Sequence, residues 1–261
     1  MGFAHSLLKS LSLFFLMDYT IHIKEIGGTI MKPSILWTLF TILIVICILA
    51  AHHFLSVSRR QEHRKAILLK GITGLCFVAA GALTASVCPD RHFALPVMAG
   101  LILGLAGDEL LALRFLYPAK HDLCFTAGGA AFAIGHVMYL LALFHCQFPL
   151  LRASIPVGLA GFLLSLLYLK RRNMQAGTMQ IPLTIYMLLL SVTLGVSWGA
   201  AAGQPSPQLL LFAAGALLFL TSDNILFAFC FGDRHTAGMN RAIHGTYYAA
   251  QLCFALSMGV M

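Results

Sequence analysis

Charge is what this chain has least of. Asp and Glu number nine and Lys and Arg 17 in 261 residues, so charged side chains make up 10% where a soluble domain carries roughly 25%. With 59% hydrophobic residues and a mean hydropathy of +0.87, too little polar surface exists to solvate a globular exterior, and the chain reads as a membrane protein. A long basic face is missing as well: the net charge of +8 is dispersed over short loops between apolar runs, which excludes nucleic acid as a partner. Period-two alternation is absent from those runs, which excludes a membrane-spanning barrel. No C-x-x-C spacing occurs, so the usual zinc and dithiol signatures are lacking and neither a metal nor another cofactor is expected. Cys47, Cys76, Cys124, Cys230 and Cys253 lie in or beside apolar segments as small core residues. Cys88 and Cys146 fall in loops on one side, where free thiols are the expectation and a disulfide the alternative.

Apolar runs of spanning length are what the chain has in abundance. Eight are predicted as helices, at about 34–57, 66–86, 93–116, 122–145, 150–169, 181–200, 208–231 and 240–260, with short Pro, Gly or polar connections. The fold class is therefore all-α, a polytopic transmembrane bundle, and residues 31–261 form its single eight-helix domain. Residues 1–30 hold only a short apolar run, Leu11 to Met17, which ends at Asp18 without a cleavage signal; they are expected to be an extension dispensable for folding. Basic residues set the orientation. Arg59, Arg60, Arg64, Lys65, Arg114, Lys120, Lys170, Arg171, Arg172, Arg234 and Arg241 fall in or beside one set of alternate loops, against Arg91 and Arg152 in the other, so the first set is expected inside. Lys9, Lys24 and Lys32 run against that bias.

Against this background two carboxylates stand out. Gly100 to Phe115 places Asp108, and Gly215 to Phe231 places Asp223, each eight residues after a glycine, after a small residue, and inside an apolar run. A carboxylate at membrane depth costs roughly 2.5–3.5 kcal/mol on insertion scales and marks function by default. Both lie about 12–14 Å from the inner boundary at helical rise, and Lys70, Tyr186 and Tyr247 fall in the same half, with His136 and Tyr139 deeper. The helix after each aspartate carries H-x-x-Y, His136 to Tyr139 and His244 to Tyr247, each pair on one helix face, so the halves read as parallel repeats of four helices. Lone intramembrane His and Tyr residues also serve as plain helix-to-helix partners, Lys70 can snorkel to the interface, and the aspartates can be structural ion pairs. Glu109 and Arg114 read as ordinary, and the Gly100, Gly104 and Gly107 stripe as helix packing.

Taken together, G-x-x-G-D-x-x-L from Gly104 to Leu111, F-x-x-x-G-x-x-F-x-x-x-H-x-x-Y from Phe125 to Tyr139, Pro182 with Tyr186, G-A-x-x-F-x-x-S-D from Gly215 to Asp223, and Tyr247 with Gln251 resemble the YhhN-like family, which includes the lysoplasmalogenases. The resemblance covers nearly all of 66–255. One departure is Lys70-Gly71, where the family usually has Lys-Pro. The resemblance implies eight helices, a lysophospholipid substrate within the bilayer, and hydrolysis of a vinyl ether bond to a fatty aldehyde and a glycerophospho head group. Matched depth, matched surroundings and the resemblance together point to Asp108 and Asp223 as the catalytic pair, one acid and one base; Asp223 is taken as the proton donor and Asp108 as the carboxylate that stabilises the cation and activates water, a division the sequence itself leaves open. Lys70, His136, Tyr139, Tyr186, Ser222, His244, Tyr247 and Gln251 support them or bind substrate. The expected location is a bacterial inner membrane. Two other readings of the same residues are a proton- or cation-coupled transporter or lipid-binding protein, and a metal hydrolase built on Asp108, Asp223, His136 and His244.

Overall fold

The structure is a computed structural model that describes residues 33–60, 62–146, 148–233 and 235–260. The expected N-terminal extension, Lys9, Lys24 and Lys32, and Arg234 of the basic loops lie outside the described residues. Every regular element among the described residues is helical: α1 Pro33–Arg59, α2 His63–Val87, α3 Arg91–Leu113, α4 His121–Cys146, α5 Leu151–Arg171, α6 Gln180–Gly203, α7 Pro207–Phe231 and α8 Ala237–Ser257, with single 3-10 turns before α4 and α6. In hydrocarbon each backbone N–H and C=O must be satisfied within its own segment, so an apolar run of spanning length has the helix as its solution. The ends follow local chemistry. Asp90 accepts from the amides of His92 and Phe93 at 2.9 and 3.2 Å, and Ser206 and Thr236 cap α7 and α8 in the same way. Helix α3 stops at Leu113, three residues earlier than its apolar run suggests, because the amides of Phe115 and Leu116 bond three residues back and tighten the chain before Pro118.

Helices α1 to α7 are long and apolar enough to cross a membrane, so the protein is a multi-pass membrane protein. The eighth, 21 residues long, has the length without the apolarity. It nonetheless runs back beside α7 over the same depth: Ser222 donates to the carbonyl of Ile243 at 3.0 Å near one end, while Gly215 packs on Ala250 and Phe254 near the other. Its polarity is turned inward, with Tyr247, Tyr248 and Gln251 all buried.

Residues 36–261 form one compact unit. Within it α2, α3, α4, α6, α7 and α8 close into a ring, each packed on the next and α8 returning to α2, while α5 attaches outside on α6 and α7. Helix α1 attaches by a single stripe, Leu36, Phe40, Cys47, Ala50, Phe54 and Val57, and turns Ile42, Ile46 and Leu49 outward. The ring interior holds an aromatic column in which Tyr139 and Phe254 lie 4.3 Å apart and His136 and Phe219 4.5 Å apart between ring centroids.

The internal repeat is visible in the packing register. Gly100 lies against the Tyr139 ring and Gly215 against Phe254; Gly107 lies against the backbone of Gly128 and Ser222 against that of Ile243. Each pair maps onto its counterpart by a shift of 115 residues, which also carries Asp108 onto Asp223. That register corrects the matching of the two H-x-x-Y motifs. The counterpart of His136 is Gln251 and that of Tyr247 is Phe132, so the motifs are seven residues, about two turns, out of step.

Candidate active site

Asp108 on α3 and Asp223 on α7 stand on opposite members of the ring, and both line one cavity of about 420 Å³. They meet across that cavity, because α3 and α7 are not adjacent helices. Each is nearly sealed, at 5% and 6% exposure. Their partners differ. The Lys70 ammonium lies 2.7 Å from Asp108 Oδ1 and donates also to the Asp108 carbonyl at 3.0 Å, whereas the Tyr186 hydroxyl donates to Asp223 Oδ2 at 2.6 Å. Lys70 and Tyr186 come from corresponding helices, α2 and α6, 38 and 37 residues ahead of their aspartates. The repeat thus supplies a partner from the same helix of each half, one residue apart in register, a cation in one and a phenol in the other. Among the described residues no cation forms an ion pair with Asp223, and Asp108 Oδ2 is buried without a hydrogen-bond partner.

The cavity lies where the ends of α1, α3 and α7 meet the starts of α2 and α8, at the end of the bundle that carries Arg60, Arg64 and Lys120. Of the residues expected to support the aspartates, Lys70, Ser222, His244 and Tyr247 line it, and Tyr186 reaches it through Asp223. Ser222 is committed to the Ile243 carbonyl and acts as a helix clamp. His244 sets its ring edge-on to Phe54 at 4.7 Å, a contact that seats α1 on the cavity wall. The remaining residues do not reach the cavity. Tyr139 donates to Gln251 Oε1 at 3.1 Å, the Gln251 amide donates to Tyr247 Oη at 3.1 Å, and Tyr247 donates to the Gly104 carbonyl at 3.1 Å. This chain braces the cavity floor from behind. His136 faces Thr193 Oγ1 at 3.3 Å, outside the cavity, so Asp108, Asp223, His136 and His244 do not assemble as a set. Among the described residues no three His, Cys, Asp or Glu side chains come together as metal ligands. All seven cysteines are free, Cys88 and Cys146 each meeting Asp90 instead of one another.

One lining residue is ordinary by its sequence position alone. Arg114, at the C-cap of α3, lines the cavity with its guanidinium carbon 4.8 Å from the Phe115 ring centroid and 5.3 Å from that of Phe125. A cation at a helix end reads as a topology signal, and the sequence holds nothing that separates an arginine turned inward from one turned to the headgroups.

An all-helical, multi-pass membrane protein with two buried carboxylates around one cavity is the class these features define. The chain belongs to the YhhN family, whose model matches residues 65–258 and so takes in both aspartates and all their partners. No curated protein and no solved structure matches it.

Proposed function

We propose that this protein hydrolyses the vinyl ether bond of lysoplasmalogens, releasing a fatty aldehyde and a glycerophospho head group. The observation that carries the reading is the unequal pairing of two buried aspartates on one cavity, Asp108 with an ammonium and Asp223 with a phenol. Family membership points the same way. Vinyl ether hydrolysis needs a proton donor and an anion. The Lys70 ammonium stands against Asp108 to offset an anion there, while Asp223 meets only the Tyr186 hydroxyl, so Asp223 is the donor and Asp108 the anion. Asp223 protonates the vinyl carbon remote from oxygen, and the Asp108 carboxylate stabilises the oxocarbenium formed at the adjacent carbon. Asp108 then takes a proton from the water that adds there. The resulting hemiacetal collapses as its hydroxyl proton passes to the ether oxygen, giving aldehyde and alcohol, and the proton on Asp108 returns to Asp223 through cavity water. Phe54, Phe115, Phe132 and Leu226 give the cavity an apolar wall suited to a single acyl-like chain. The inner membrane of a bacterial cell is the proposed location.

Purified protein given lysoplasmalogen, with and without a chelator, tests the reading: aldehyde release is expected, unchanged by the chelator, and its absence overturns the hydrolase. A second reading, a proton- or cation-coupled transporter using the same aspartates, draws on the 115-residue repeat, since transporters place sites between repeated halves. Proteoliposomes that move protons or cations without releasing aldehyde would favour it.

A further inference from the structure

We propose that Arg114 is the residue that binds the phosphate of the single-chain lipid, at the mouth of the cavity, and that Lys70 has no part in it. The inference rests on the hydrolase reading for its substrate class. Lys70 is the cation nearest the aspartates, yet its ammonium is spent on Asp108, with the carboxylate at 2.7 Å and the carbonyl at 3.0 Å. Arg114 is held otherwise. Its contacts are the faces of Phe115 and Phe125 and the Cys230 sulfur, 3.7 Å from Nη2, while its buried Nε has no hydrogen-bond partner. Among the described residues no carboxylate pairs with it. A guanidinium stacked on aromatic faces keeps its donors in a fixed plane, and that fork matches the oxygens of a phosphate. Phe115 is itself fixed by His63, stacked 5.8 Å away at 6° between ring planes, so the cation has a set direction. Asn240 and Thr236 add neutral polar groups on the facing wall.

Depth supports the same placement. Arg114 follows Asp108 by six residues, so their Cα atoms stand about 9 Å apart along α3, and the glycerol between phosphate and vinyl ether is a spacer of that order. A phosphate at Arg114 thus sets the reactive bond beside the carboxylates with its chain toward the apolar wall.

Binding of a non-cleavable ligand separates this proposal from the chemistry. The full chain in detergent is titrated with a saturated 1-O-alkyl lysophospholipid, with the matching 1-O-alkylglycerol, and with inorganic phosphate as competitor. Arg114→Gln is expected to weaken the phospholipid about 10- to 100-fold and leave the alkylglycerol unchanged, with Arg114→Lys in between. Lys120→Gln, which removes an exposed cation at the same end of the bundle that does not line the cavity, is expected to bind the phospholipid as wild type does. Equal phospholipid affinity in Arg114→Gln, equal loss for both lipids, or an equal loss in Lys120→Gln overturns the proposal. Displacement by inorganic phosphate at the lipid's own concentration would assign the site to free phosphate and overturn the lipid. Binding by wild type without aldehyde release from lysoplasmalogen would remove the hydrolase reading and leave the phosphate site standing.

Discussion

Lys70 and Asp108 are each about as buried as an apolar core residue, and at that depth neither tolerates losing the other. Breaking a buried ion pair leaves an uncompensated charge, at a cost of about 3–5 kcal/mol, far above that of an exposed pair. Lys70→Met is therefore expected to lower the thermal unfolding temperature in detergent sharply, and Lys70→Met with Asp108→Asn to recover most of it. A destabilised double variant would show that the pair is not coupled. Asp108→Asn and Asp223→Asn are each expected to reduce aldehyde release per folded molecule by about 10²–10⁴-fold, Asp108→Asn with an added loss of stability because it strands Lys70, and the double variant to turn over scarcely more slowly than the poorer single one because the two act as a unit. Tyr186→Phe removes the only hydroxyl donated to Asp223 Oδ2 among the described contacts, and a smaller loss of about 10- to 100-fold in turnover is expected. The kinetic measurement on purified variants checks all three.

At the scale of the element, close helix approach depends on glycines that the sequence shows only as a stripe. A Cβ on Gly100 would strike the Tyr139 ring, and one on Gly215 would come within 2.9 Å of Phe254. Both α3–α4 and α7–α8 would have to move apart. Gly100→Ala and Gly215→Ala are expected to destabilise by about 1–3 kcal/mol each, as overpacked cores do. Gly129→Ala on α4, where a Cβ would meet nothing within 4 Å, is expected to be neutral or stabilising by up to about 1 kcal/mol. Thermal unfolding of the three variants side by side is the measurement, and equal behaviour would refute the packing argument. The eighth helix makes the complementary point: Asn240, His244, Tyr247 and Gln251, which weaken its apolar signal, line or brace the cavity.

For the whole molecule, the ring gathers the cavity and several basic loop residues at one end. On the positive-inside bias, Arg60, Arg64, Lys65, Lys120, Lys170, Arg171 and Arg172 make that end the expected inner side. Replacing Arg171 with cysteine in an otherwise cysteine-free chain is expected to give no reaction with an impermeant reagent in intact cells and full reaction after permeabilisation. Labelling in intact cells would invert the protein and put the cavity mouth outside.

The membrane class, the helix positions to within a few residues and the two aspartates as the centre of interest were all legible in the sequence. The physical reason is that a spanning apolar run has one backbone solution in hydrocarbon, and a carboxylate within it is too costly to be incidental. Inter-helix register was not legible. A slip of seven residues is close to two full turns and returns a motif to the same helix face, so H-x-x-Y looked equivalent in both halves although Gln251 is the true counterpart of His136. Which side chain meets each aspartate also depended on the closed ring, which brings α2 to α3 and α6 to α7 and turns Arg114 inward. Depth along a helix is written in the sequence; azimuth and partner are set only when the helices pack.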